Sequence, residues 1–115
     1  MKFLLDHDVV PIGYSPLGRV GSKSGPVGDD IREDELVKSL ASKYSCTASQ
    51  LLLAWGLSRG YSIIPKAQQA EHQEENFAAL DIEIEADDIK QIREKFDERK
   101  MLYPSTFDVK YNVFA

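Results

Sequence analysis

The sequence predicts an α/β fold built on a parallel sheet. Two apolar segments, Val9 to Tyr14 and Tyr61 to Ile64, have the composition of strands, and helical patterns follow each of them. Such alternation is typical of parallel sheets, either doubly wound or closed into a barrel. A closed barrel needs roughly 250 residues, and this chain has 115. We therefore take residues 1–115 as a single small domain or as a fragment of a larger barrel.

The first predicted strand, Val9 to Tyr14, is β-branched and apolar without strict alternation, as expected of a strand covered on both faces. Pro11 has no amide to donate to a neighbouring strand, so it should lie near the strand's start. The following segment, Ser15 to Asp30, is rich in glycine and proline and predicts a long irregular loop.

Two helices are predicted between the strands. The first, Ile31 to Tyr44, carries apolar residues at helical spacing and acidic residues in its first turn. Thr47-Ala-Ser-Gln50 has the pattern of a capping box that begins the second helix. Gly60 can adopt the positive φ that commonly ends a helix. Cys46 falls in the turn between the two helices, where we expect an unreactive thiol.

Two further helices follow the second strand. They are predicted over Glu71 to Leu80 and over Glu85 to Phe96, the latter with Ile89 and Ile92 on its apolar stripe. Residues 97–115 show no period and are treated as a C-terminal tail.

Composition excludes several classes of function. The net charge of -5 leaves no uniform basic face for nucleic acid. A single cysteine rules out an intrachain disulfide or a thiolate metal cluster and fits a reducing, cytoplasmic setting. No apolar run approaches the ~20 residues of a membrane helix. We expect a soluble protein without a membrane or nucleic-acid partner.

Local motifs argue against other chemistries. The segment Gly18 to Gly25 lacks the spacing of a phosphate-binding loop and of a dinucleotide fingerprint. His7 and His72 have no acidic companions at metal-ligand spacing, so no metal site is expected. Ser15 lacks the glycine-flanked elbow of a hydrolase nucleophile.

The strongest chemical signal lies at the two strand ends. Tyr14-Ser-Pro-Leu-Gly18 ends the first strand and Ile63-Ile-Pro-Lys66 ends the second. Ligands of parallel α/β folds bind at the carboxyl ends of strands, where Tyr14 offers a ring for stacking and Lys66 a charge for phosphate. Taken singly, Tyr14 also fits a strand-end aromatic and Lys66 a solvated lysine. Together with Glu75 and Asn76 on the next helix, they predict a nucleotide site.

These motifs, in this order, resemble the C-terminal part of the aldo-keto reductases. The resemblance runs from Val9 to Ile92 and includes the two strand ends, Glu75-Asn76 and the helix Thr47-x-x-Gln50-Leu-Leu-Leu-x-Trp55. It implies the C-terminal βαβα portion of a (β/α)8 TIM barrel, incomplete in this chain. It also implies NADPH, with NADH as the alternative, bound in an extended pose and donating hydride to an aldehyde or ketone.

The resemblance further implies roles for individual residues. Tyr14 matches the tyrosine that stacks on the nicotinamide, and Ser15 and Leu17 match loop positions along the pyrophosphate. Lys66 matches the lysine that holds the 2′-phosphate, and Glu75-Asn76 match residues that contact the adenine. No residue of this chain matches the family's catalytic aspartate, tyrosine, lysine and histidine.

Several positions depart from the family pattern. Arg19 stands where serine is common and Gly21 where an acidic residue is common, which weakens a latch over the cofactor. Ala67 replaces a serine or threonine. His72 replaces an arginine on the helix face of Glu75-Asn76. Because histidine is mostly neutral at pH 7, we expect a reduced NADPH preference that rises as the pH falls.

Three functions remain open at this point. The first is a reductase chain that retains part of the cofactor site and is inactive alone, with weak or absent cofactor binding. The second is a non-catalytic, self-associating interaction or scaffold protein derived from a truncated reductase, since two strands leave open edges and apolar faces. The third is a cofactor-binding module without turnover.

Overall fold

The computed structural model describes residues 2–18 and 30–96. Most of the predicted glycine-rich loop, including Arg19 and Gly21, and the predicted tail over 97–115 lie outside the described residues. In chain order the elements are a helical turn α1 (Lys2–Leu5), strand β1 (Ile12–Tyr14), helices α2 (Glu35–Lys43) and α3 (Ala48–Ser58), strand β2 (Ser62–Ile64), and helices α4 (Ala70–Ala78) and α5 (Ala86–Phe96). Single 3-10 turns, Ile31–Glu33 and Ala79–Asp81, precede α2 and follow α4.

The two strands form a parallel pair, as predicted. Ile12 is paired with Ser62 and Tyr14 with Ile64. The Ser62 amide donates to the carbonyl of Pro11 at 3.0 Å. Pro11 therefore lies just before the strand, where its carbonyl is used and its missing amide costs no ladder hydrogen bond.

Contrary to expectation, the elements described in residues 2–18 and 30–96 cover the first strand on one face only. One face of the sheet packs on α3, where the Ile63 side chain lies against Gly56; a Cβ added to Gly56 would lie 3.2 Å from Ile63 Cγ2. On the other face Ile12, Tyr14 and Ile64 are 65%, 60% and 57% exposed. Among the described residues no element covers that face, so apolar composition without alternation did not report burial on both sides here.

The helix predicted over Ile31 to Tyr44 begins later than expected. Its first residues form the 3-10 turn, which Asp30 caps by accepting from the Arg32 amide at 3.1 Å. Asp34 then caps α2 by accepting from the Leu36 amide at 2.9 Å. Two successive acidic caps divide the predicted helix, because each capping residue keeps extended backbone angles.

The signals predicted at the ends of α3 are confirmed. Thr47 Oγ1 accepts from the Gln50 amide at 3.1 Å, and Gln50 Oε1 accepts from the Thr47 amide at 3.0 Å. The helix ends at Ser58, and Gly60 follows with φ of +80°. The third predicted helix, Glu71 to Leu80, is shorter than expected, since α4 ends at Ala78 and only a 3-10 turn continues it.

The core is formed where α2, α3 and α5 meet. Its fully buried side chains include Val37, Leu51 and Ile92. A polar link holds α5 in place: the Asp88 carboxylate accepts from Lys43 Nζ at 2.7 Å and from the Tyr44 hydroxyl. These hydrogen bonds, and first the one from Lys43, lower the pKa of Asp88, so the carboxylate stays charged at neutral pH. Over the described residues, no helix has the length and apolar character needed to cross a membrane.

Candidate functional site

The first strand end forms a tight turn. Tyr14 is the last residue of β1, and Ser15 follows with φ of +47°. The Gly18 amide closes the turn by donating to the Ser15 carbonyl at 2.9 Å. Leu17 is partly buried against the core, whereas the Tyr14 ring is mostly exposed. The turn thus holds two predicted loop positions beside an accessible aromatic ring.

The second strand end lies at the same edge of the sheet. Because Tyr14 and Ile64 are paired in a parallel register, both chains leave the sheet side by side. Lys66 follows Ile64 by two residues, about 7 Å of extended chain, and its side chain is exposed. The common edge expected for the two motifs is therefore present in the structure.

Helix α4 brings together Glu75 and His72. His72 Nδ1 lies 3.5 Å from Glu75 Oε2, one helical turn apart. The other carboxylate oxygen, Oε1, accepts from the hydroxyl of Thr47 at 2.7 Å. Gln50 Nε2 donates to the main-chain carbonyl of Glu75 at 3.1 Å. The start of α3 is thus tied to the middle of α4.

Asn76 has a different environment from Glu75. It lines an open groove of about 400 Å³ between α3, β2 and α4, together with Pro65, Ala67 and Phe77. Lys66 makes no hydrogen bond to any other predicted site residue that the structure describes. The seven predicted residues thus fall into three places: the edge of the sheet, the contact of α4 with α3, and the groove.

In the sequence, Thr47 and Gln50 indicate a capping box and form part of the family pattern, but neither signal predicts a contact with Glu75. Their contact with Glu75 joins residues far apart along the chain, so no local pattern reports it. The available signal is chemical: a threonine hydroxyl that accepts a capping hydrogen bond still has its own proton to donate.

The charges near the site fit a phosphorylated cofactor in part. Lys66 is a cation at the sheet edge, but α4 also carries Glu71 and Glu74 with exposed side chains. Cys46, in the turn between α2 and α3, has its pKa raised by burial, in agreement with an unreactive thiol. No group of three His, Cys, Asp or Glu side chains suited to a metal ion occurs within residues 2–18 and 30–96.

Comparison with known proteins decides the family. The model of the "Aldo/keto reductase family" matches residues 1–97. The chain belongs to the aldo/keto reductase family. It is 34% identical over 94 residues to mouse "Aldo-keto reductase family 1 member D1", covering 80% of this chain and 29% of that protein. It is 34% identical over 77 residues to "Glycerol 2-dehydrogenase (NADP(+))" of Hypocrea jecorina, covering 67% of this chain and 24% of that protein.

A solved structure supports the same conclusion. The crystal structure of an aldo/keto reductase from Brucella melitensis superposes with a TM-score of 0.66 at 28% identity, covering 81% of this chain and 32% of that one. The fold class predicted from the sequence, a strand–helix portion of an aldo/keto reductase barrel, is therefore confirmed. The chain spans roughly a quarter to a third of the length of the relatives it matches.

Proposed function

We propose that the carboxyl edge of the two strands, together with α4, forms part of a nicotinamide cofactor site, and that the whole protein reduces aldehydes or ketones to alcohols. The observation that carries this proposal is the pairing of Tyr14 with Ile64, which sets the two strand-end motifs side by side. Parallel α/β barrels bind their ligands at this edge.

All the predicted residues except His72 are assigned a contact with the cofactor in the proposed site. The exposed ring of Tyr14 offers a flat surface for the nicotinamide. The turn from Ser15 to Leu17 runs beside it and contacts the pyrophosphate. Lys66 supplies a point charge for the 2′-phosphate. Glu75 and Asn76 contact the adenine.

NADPH is the proposed cofactor, with NADH as the alternative. Support comes from relatives whose names specify NADP, such as the glycerol dehydrogenase above and "NADP-dependent D-sorbitol-6-phosphate dehydrogenase" of Malus domestica, which is 28% identical over 93 residues. The acidic residues on α4 repel phosphate, and Lys66 is the cation proposed to hold it. We therefore expect weak cofactor binding by this chain alone.

The proposed chemistry requires more than a cofactor site. A bound nicotinamide supplies hydride to the carbonyl carbon, and an acid must protonate the oxygen as negative charge develops on it. The residues of this chain hold and orient the cofactor in the proposal, and none of them is assigned the role of that acid. We expect no turnover from this chain alone.

Fluorescence titration with NADPH tests the proposed site. The unaltered chain should bind at millimolar cofactor, and Lys66→Ala and Tyr14→Ala should abolish the signal. Tyr14→Phe should retain it, because the ring remains. Lys90→Ala is the matched control for loss of a lysine, since Lys90 is exposed on α5. Absence of binding at millimolar NADPH in the unaltered chain would overturn the proposal.

A second candidate function is a non-catalytic, self-associating scaffold. It is favoured by the exposed apolar side chains of Ile12, Tyr14 and Ile64 on one face of the sheet. Within the described residues both strands also have an unpaired edge, and such edges favour association. Either function fits a cytoplasmic protein with a free thiol at Cys46.

A further inference from the structure

We propose that Thr47 and Gln50 are positioning residues that set Glu75 for the adenine end of the cofactor. This inference rests on the proposed function, and it assigns to the start of α3 a role beyond capping that helix. Thr47 and Gln50 touch no proposed cofactor group themselves; they act through Glu75.

The side chains of Thr47 and Gln50 each accept one hydrogen bond that caps α3 and donate one to Glu75. Thr47 Oγ1 accepts from the Gln50 amide at 3.1 Å and donates to Glu75 Oε1 at 2.7 Å. Gln50 Oε1 accepts from the Thr47 amide at 3.0 Å, and its Nε2 donates to the Glu75 carbonyl at 3.1 Å. A helix cap needs only the two accepted hydrogen bonds. The two donated ones serve Glu75.

These two donors fix Glu75 at both ends. The Gln50 amide holds its main chain and the Thr47 hydroxyl holds its carboxylate, and both hydrogen bonds favour the rotamer seen in the structure. A free glutamate side chain loses rotamer entropy when a ligand immobilises it. Fixing it beforehand reduces that cost when the cofactor binds.

The hydrogen bond also selects which carboxylate oxygen is available. Oε1 is engaged by Thr47, whereas among residues 2–18 and 30–96 Oε2 has only His72 Nδ1 at 3.5 Å. A donor on a ligand, such as the adenine amino group, therefore meets Oε2. Removal of the Thr47 hydroxyl would release this orientation without removing the carboxylate.

A matched pair of variants separates positioning from capping. Glycine is well tolerated at the N-cap position, so Thr47→Gly removes the donor while α3 stays folded. Thr47→Ser keeps both hydrogen bonds. We expect Thr47→Gly to raise the NADPH dissociation constant roughly fivefold to tenfold, because the Glu75 side chain regains rotamer freedom that the cofactor must then remove. Thr47→Ser should bind as the unaltered chain does.

Two further measurements guard against a merely structural effect. In a Glu75→Ala background Thr47→Gly should cause no further loss of affinity, because the positioned group is gone. Binding of reduced nicotinamide mononucleotide, which lacks the adenosine half, should be unchanged by Thr47→Gly. Two results would overturn the positioning role. One is that Thr47→Gly weakens the binding of NADPH and of reduced nicotinamide mononucleotide equally. The other is that Thr47→Gly weakens NADPH binding as much in the Glu75→Ala background as in the unaltered chain.

The results of these binding experiments also distinguish a failure of the positioning role from a failure of the proposed function. If the unaltered chain does not bind NADPH, the proposed function fails and the positioning role fails with it. If it binds NADPH and Thr47→Gly binds equally well, the positioning role alone is overturned.

Discussion

Tyr14 and Ile64 are paired at the last position of the parallel sheet, and both side chains point to its exposed face. Tyr14 therefore belongs to the candidate cofactor site and to an uncovered apolar surface at once. Association through that surface would cover the ring that the proposed nicotinamide contact requires. The two candidate functions thus compete for one side chain.

A charge on the exposed face, away from the site, should reduce self-association. Ile12 lies on this face at the opposite end of β1 from the site. We expect Ile12→Lys to shift the chain towards monomer in light scattering, because a lysine opposes burial of the face. Ser39→Lys adds the same charge to an exposed position of α2 and should change nothing. A monomeric unaltered chain would remove the scaffold hypothesis.

The side chain at position 72 should control the preference for NADPH over NADH. A guanidinium is always charged and presents a planar fork of donors that matches a phosphate, which an imidazole does not. We expect His72→Arg to raise the ratio of the NADPH affinity to the NADH affinity, and His7→Arg serves as the control. An unchanged ratio in His72→Arg would contradict the prediction.

The features that the sequence predicted well are those set by neighbouring residues. Thr47 and Gln50 form a capping box three residues apart, and Gly60 has the positive φ expected after α3. The predicted start of a helix was less accurate where two residues close together can each act as its N-cap. Asp30 and Asp34 are both good caps, and the structure uses both, which moved the start of α2.

Features that depend on distant parts of the chain could not be predicted locally. The exposed face of β1 reflects which elements pack against it, and an apolar composition does not carry that information. In the candidate site, the edge shared by Tyr14 and Lys66 followed from strand polarity alone. The contact of Thr47 with Glu75 depends on how α3 and α4 pack, so it became visible only in the structure.

Replacement of Gly60 should destabilise the fold through backbone strain alone. A Cβ at this position would lie 3.6 Å from Leu5 Cδ1, an ordinary contact, but φ is +80°. Side chains in the left-handed region cost roughly 1–2 kcal/mol. We expect Gly60→Ala to lower the free energy of unfolding in urea by about that amount, and Gly60→Asn by less, because asparagine tolerates this conformation better. Equal losses for both variants would argue against backbone strain as the cause.

The link between Asp88 and α2 should make stability depend on pH in acid. Lys43 Nζ and the Tyr44 hydroxyl lower the pKa of Asp88 in the folded chain, below the value of about 3.9 of an unfolded aspartate. Protonation therefore favours the unfolded chain. The stabilisation is complete above the unfolded pKa and is lost as the pH falls through the folded one. Lys43 stays protonated over this pH range, because its hydrogen bonds to Asp88 and Glu85 raise its pKa.

Asp88→Asn tests this dependence directly. The variant should be less stable than the unaltered chain at pH 7, and the difference in free energy of unfolding should shrink as the pH falls below about 4. Asp87→Asn, at an exposed position in the same helical turn, is the matched control and should leave the pH profile unchanged. Asp34, whose pKa is lowered by Lys95, contributes equally to the acid dependence of the unaltered chain and of both variants. A difference that stays constant down to the acid transition would mean that Asp88 acts through packing rather than through its charge.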